Sequence, residues 1–230
     1  MGRHAASAAD RGVLQRSVRK PGLDGVRAIG VILVLLFHSQ IFPFRNGAIG
    51  VDVFFVLSGY LITALLTEEL ERSGSVDFGR FYGRRALRLL PAYLAVVMFA
   101  LAIQKFWPSG GTVRGAISSL LYCSNWVLAL HRGGLGYLDH TWSLSIEEQF
   151  YLVWPLLVVL GCRLAGRRKL TPILVVAFLA LASVADGMVR AAQGNDAYVY
   201  AATDTRASAL LVGAALALTG QYLARRGTVQ

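Results

Sequence analysis

The stretch Leu23–Phe44, LDGVRAIGVILVLLFHSQIFPF, decides the fold. It is an apolar run of membrane-spanning length, yet it opens on Arg27 and carries His38 inside it. The eleven residue steps from one to the other make three helical turns plus roughly 20°, so both side chains fall on one helix face, about 16 Å apart along the axis. Such a face is not made for lipid, because an ionisable group in an apolar span is costly unless it meets a bundle interior or a wet cavity. His38 is therefore a candidate site residue; the plainer reading is a histidine hydrogen-bonded between helices.

Composition points the same way. With 55% hydrophobic residues, only 16% charged residues among 230 and a mean hydropathy of +0.53, the chain lacks the polar surface of a soluble domain. Several runs of spanning length make it an all-α, polytopic transmembrane helical bundle. The net charge of +10 does not indicate nucleic acid, since the basic residues stand at the ends of apolar runs rather than in one patch. The two cysteines, Cys123 and Cys162, have no ligand-type spacing, and neither a disulfide nor a metal site is expected. No cleavable signal peptide is expected either.

Along the chain, 1–22 reads as a basic cytoplasmic tail, 23–226 as the membrane domain and 227–230 as a short tail. The first span runs from Leu23 to near Pro43, and an external turn follows at Asn46-Gly47. Ala48–Leu66 is the second span, with Asp52 in its first turns. Residues 67–88 form a loop in which Phe78, Phe81, Arg85 and Arg88 have the spacing of an interfacial helix. The third span is Leu89–Phe106, with Pro91 near its start, where a missing backbone donor is best tolerated. Ala116–Leu130 is apolar but short and carries Ser118, Ser119, Ser124 and Asn125, so it reads as a short span or as a partly embedded element. Charge favours the second reading. If the segment does not cross, Trp142–Cys162, Pro172–Val189 and Ala207–Leu223 complete about six spans, and 17 of the 23 basic residues lie inside.

Three groups of residues are chemically suggestive. His38 lies five residues before Pro43 and Asp52 five after Gly47, so a tight antiparallel turn brings them to similar depth on the external half. There a carboxylate would fix the imidazole tautomer and support its protonated form, as for a general base acting on a hydroxyl; a structural His/Asp hydrogen bond is the alternative. Glu147 and Glu148 are consecutive, point about 100° apart and cannot serve one spot. One would act on the acceptor or neutralise an arginine while the other anchors the helix. Arg27, Arg84, Arg85 and Arg88 stand at cytoplasmic helix ends, where guanidinium forks suit the phosphates of a donor such as an acyl-coenzyme A, or anionic lipid headgroups. Gly50, Ser58 and Gly59 read as close-packing residues.

Together LDGVRAIGVILVLLFHS, GVDVFFVLSGYLI, FYGRRALRLLPAY, TWSLSIEEQFYLVWP and DTRASALLVGAAL resemble, in order, the acyltransferase type 3 family of bacterial envelope-sugar O-acyltransferases. The resemblance runs from Leu23 to about Leu218. It implies an integral protein of the cytoplasmic membrane that transfers an acyl group, usually acetyl, from acyl-CoA to a hydroxyl of a carbohydrate or glycolipid acceptor. It places Arg27 and His38 in the family's Arg/His motif, Asp52 at its acidic position, Arg84, Arg85 and Arg88 in its arginine cluster, and Glu147 and Glu148 as its paired glutamates. Family members carry more spans than the six read here, so completion of the acceptor cavity by further C-terminal spans or by a second copy is an expectation. A transporter or flippase of an anionic lipid or sugar, which would use the same buried charges, and an inactive assembly partner are the competing function classes.

Overall fold

The computed structural model describes residues 21–38, 48–166 and 170–227. Its elements are α1 (Pro21–His38), α2 (Ala48–Ser73), α3 (Phe78–Ile103), α4 (Thr112–Leu120), α5 (Ser124–Ala129), a 3-10 turn at Gly136–Leu138, α6 (Thr141–Ala165), α7 (Thr171–Ala192), α8 (Asp196–Ala201) and α9 (Thr203–Gly227). The tail before Pro21, the helix end at Pro43, the Asn46-Gly47 turn, the basic residues 167–169 and the last three residues lie outside the described residues. The chain divides into two units, Met1–Leu57 and Ser58–Gln230, with the boundary inside α2.

Five stretches are long and apolar enough to cross a bilayer: Ile49–Ser73, Phe78–Ile103, Thr141–Ala165, Thr171–Ala192 and Asp196–Gly227. The first of the six expected spans is represented by the shorter apolar helix Gly25–Leu36. All-α bundle architecture is thus present, with five such spans among the described residues.

In the first unit α1 and the start of α2 touch through glycine. A Cβ on Gly50 would come within 2.9 Å of Val34 Cγ2 and 3.2 Å of the Gly30 carbonyl, and one on Gly30 would meet the Phe54 ring at 3.1 Å. Small residues here let two backbones approach as membrane helices do. Ile29, Ile32 and Leu35 face outward, as expected of a helix whose other side contacts lipid.

In the second unit, paired contacts give the helix directions. Ser58 bonds Glu147 and Thr63 bonds Trp154, so numbering rises in step and α2 runs parallel to α6. Gly59 abuts Leu210 and Thr67 bonds Gln221, so α9 is parallel to α2. Arg85 meets Glu148 and Tyr82 meets Leu152, which makes α3 antiparallel to α6. Ser183 bonds the Ser208 amide and Gly187 approaches Thr205, so α7 is antiparallel to α9. With α3 and α6 opposed, nothing between them makes a net crossing. Ala116–Leu130 accordingly divides into α4 and α5, each far too short to cross about 30 Å of hydrocarbon. Tyr122 breaks the helix at φ 51°. The freed backbone is satisfied internally, as bilayer depth demands: the Tyr122 and Cys123 amides donate to Ser119 and Ser118.

Two boundaries differ from expectation. α2 continues to Ser73, and the stretch read as an interfacial helix is the opening of α3, which runs unbroken to Ile103. The loop shrinks to 74–77 because Gly74 turns at φ 73° and the Asp77 carboxylate accepts from the Arg80 amide at 2.9 Å, capping α3. Pro91 therefore sits inside the helix rather than near its start. The core joins Ile62, Leu66, Tyr151, Trp154, Val158, Val176, Ala214 and Leu218, while Leu152, Leu156, Leu164, Phe178 and Leu181 point outward.

Candidate active site

The second unit is built around an ion pair inside its spans. From the third turn of α3, Arg85 donates through Nε to both carboxylate oxygens of Glu148 at 3.1 Å each, and its Nη2 also donates to Glu148 Oε1. The side chains are only 25% and 13% exposed. Below the guanidinium lies the Tyr151 ring, with Cζ 3.3 Å from its centroid, one helical turn after Glu148. A planar cation thus has a carboxylate at its edge and a ring on its face, an arrangement a lysine could not make. The physical need is plain: either charge alone within a span costs several kcal/mol, whereas the pair is neutral.

Glu147 is turned away, as consecutive helical residues must be, and accepts from Ser58 Oγ at 2.8 Å. The two glutamates therefore face different helices, α2 and α3. Glu148 is the one that neutralises an arginine. Ser58, read from sequence as a packing residue, supplies the hydrogen bond for Glu147; Gly59 is indeed packing, since a Cβ there would overlap the Leu210 carbonyl.

A chain of hydrogen bonds fixes α6 against the broken α4–α5 segment and the entry to α9. Gln149 donates to the Tyr122 carbonyl at 2.7 Å and to Asn125 Oδ1 at 2.9 Å, and accepts from Thr203 at 2.6 Å. Asn125, fully buried, donates to the Ala201 carbonyl at 3.1 Å and to Thr203 Oγ1 at 2.9 Å. Ser124 and Ser145 are 2.7 Å apart, and Ser119 and Thr141 2.6 Å. Each hydroxyl and amide is worth most where no water competes. The signal was in the sequence as serines and an asparagine inside an apolar segment; the partners, Gln149 and Thr203, were missed because they stand about 25 and 80 residues away.

Beside this network lies a cavity of about 210 Å³ lined by Tyr82, Arg85, Tyr122, Glu148, Gln149 and Tyr151. Tyr122 stacks on Tyr93 with centroids 5.7 Å apart.

The arginine cluster does not act as one. Arg84 and Arg88 are exposed, while Arg85 is engaged by Glu148. In the first unit Arg27, half-buried, and His38 share α1. Asp52, half-buried, lies near the start of α2. The Gly30/Val34–Gly50 contact sets the register, and it puts Asp52 some six or seven residues below His38, roughly 10 Å along the axis, rather than level with it as expected. The His38 side chain lies outside the described residues. Among the described residues, no cluster of three His, Cys, Asp or Glu is placed to hold a metal ion.

Comparison with known proteins places the chain. No solved structure matches the chain. It is 40% identical to YrhL of Bacillus subtilis (strain 168) over 208 residues, covering 86% of this chain and 33% of that protein. It is 37% identical over 207 residues to O-acetyltransferase OatA of Staphylococcus aureus (strain NCTC 8325 / PS 47), covering 86% and 34%. It is 38% identical over 214 residues to peptidoglycan O-acetyltransferase OatA of Listeria monocytogenes serovar 1/2a (strain ATCC BAA-679 / EGD-e), covering 88% and 34%. The chain thus spans about a third of the length of these relatives. The family model of the acyltransferase domain matches residues 20–228, which takes in α1 to α9, and the chain is therefore an integral membrane protein of the acyltransferase type 3 family.

Proposed function

We propose that the chain forms the membrane part of an O-acyltransferase that moves an acyl group, acetyl in the first instance, from cytoplasmic acyl-CoA to a hydroxyl of an envelope or exported carbohydrate. The observation that carries the reading is the family match across the described helices, together with relatives named as O-acetyltransferases. Ionisable groups inside apolar spans, the mark of a functional path through a membrane protein, support it.

In this reading His38 is the general base. Its imidazole takes the acceptor hydroxyl's proton as that oxygen attacks the thioester carbonyl; the C–S bond breaks, coenzyme A leaves as the thiolate, and the imidazolium returns the proton to it. Asp52 favours the protonated imidazole by its charge. Arg27, three turns below His38 on the same helix, takes the donor phosphates, and the exposed Arg84 and Arg88 are further guanidinium groups open to anions. Arg85, already bonded to Glu148, contributes positioning: it holds α3 to α6 so that its neighbours present a fixed rim. Glu147, held by Ser58, orients α6 on the acceptor side.

The test is transfer of label from radioactive acetyl-CoA, supplied on the cytoplasmic face of proteoliposomes, to a carbohydrate acceptor on the other face. Label on the acceptor is expected. Transport of acceptor without acyl transfer would replace the reading with a flippase. Donor binding is tested separately with Arg27→Ala, which should weaken acetyl-CoA affinity by roughly ten-fold or more, the value of a charge-assisted bidentate contact; unchanged affinity would remove the phosphates from Arg27.

A further inference from the structure

A pair of cavities, distant from Arg85 and Glu148, meets at the opposite end of α6. The first, about 300 Å³, lies among the last turns of α2, α6 and α9 and the first turn of α7, and its polar lining includes Thr67, Glu71, Arg163, Gln221 and Arg225. Gln221 donates to Thr67 at 2.5 Å, and Arg225 is paired with Glu71. Arg163 is exposed, and no ion pair to it occurs among the described residues. Among the described residues the lining therefore carries two cations and one anion.

The second cavity is a groove of about 390 Å³ between α6 and α7, walled by Trp154, Leu157, Val158, Leu160, Val175 and Leu179 among others. No Asp, Glu, Lys, Arg or His is among the described residues that line it. Cys162, Ala165, Pro172 and Leu218 line both cavities, so the polar pocket opens into the groove. Trp154, Val158 and Val176 form a buried floor, while Leu157, Leu160 and Val175 stand as a half-exposed rim. Gly161 leaves space along it, with nothing within 4 Å of an added Cβ. From Trp154 to Leu164 the groove follows ten residues of helix, about 15 Å, which is half the roughly 30 Å hydrocarbon thickness and hence the depth of one leaflet.

We propose that this composite cavity is a binding site for a single anionic phospholipid, its phosphate at Arg163 and Arg225 and one acyl chain along the α6/α7 groove. Three independent features select this occupant. Net positive lining selects an anion; the apolar extension excludes a small soluble one; the groove's length matches an acyl chain of the leaflet whose headgroups lie at the arginine end. Basic pockets between helices on the cytoplasmic side are built for such headgroups, and the distribution of basic residues puts this end inside. The lipid would tie α2, α6, α7 and α9 together where α6 ends at Gly166.

The site is tested on the full chain, purified and delipidated in detergent, by native mass spectrometry with added phosphatidylglycerol, phosphatidylcholine or soluble glycerol phosphate. One phosphatidylglycerol should remain bound where phosphatidylcholine does not, and glycerol phosphate should not compete. Arg163→Gln, an exposed change that leaves the fold alone, should weaken phosphatidylglycerol about five-fold, the worth of one arginine near an anionic headgroup. Gly161→Trp should fill the groove and abolish the bound lipid, whereas Leu181→Trp on the outward face of α7 should not. Equal retention of phosphatidylcholine, full competition by glycerol phosphate, or unchanged affinity in Arg163→Gln would each overturn the proposal.

Discussion

Removing either member of the Arg85–Glu148 pair leaves the other as an uncompensated charge within the bundle. For a fully buried pair that costs about 3–5 kcal/mol. Here the side chains keep 25% and 13% exposure, so partial hydration discounts the cost to about 2–3 kcal/mol for Glu148→Ala. Arg85→Ala also gives up the Tyr151 stack, worth about 1 kcal/mol more. The double variant removes both charges at once, so its loss should fall well short of the sum, leaving a coupling of about 2 kcal/mol. Denaturant titration in mixed micelles, followed by tryptophan fluorescence, measures all four corners of the cycle. A coupling below about 0.5 kcal/mol, the additivity expected of independent sites, would show that the pair does not hold α3 to α6 and would return Arg85 to the donor phosphates.

Gly59→Val should destabilise by about 3 kcal/mol, the upper end of overpacking, because its first carbon meets backbone at Leu210 and backbone cannot rotate aside; an unchanged unfolding midpoint would refute the α2–α9 contact. His38→Ala should abolish acyl transfer while membrane insertion persists, since a base is lost but the span gains apolar character, and Asp52→Asn should be the milder change. Near wild-type transfer by His38→Ala would make it a packing residue. Topology follows from the charge bias: a cysteine at position 167 should resist impermeant thiol reagents in spheroplasts, and labelling there would invert the threading.

How much of this was legible without the structure depends on whether a feature is set by local period and composition or by a distant neighbour. Apolar run lengths fixed the helical membrane class, because a bilayer admits no other way to satisfy the backbone of a chain without a closed barrel. The Arg27/His38 face followed from helical period alone, as did the divergence of Glu147 and Glu148. Ala116–Leu130 was readable as a short span or a partly embedded element, with the charge distribution favouring the second. Tertiary structure alone decided that Arg85, and not Arg84 or Arg88, takes Glu148 from 63 residues away, since all three arginines look alike in a run and only the antiparallel register of α3 on α6 distinguishes them. The same holds for Ser58, whose partner Glu147 is 89 residues distant. It holds too for Asp52, which a guessed turn made level with His38 and which the glycine contact between α1 and α2 sets lower. Period dictates which way a side chain leaves its own helix; what it meets there depends on how closely neighbouring backbones approach, and in this bundle that distance is governed by glycines whose packing partners no local pattern announces.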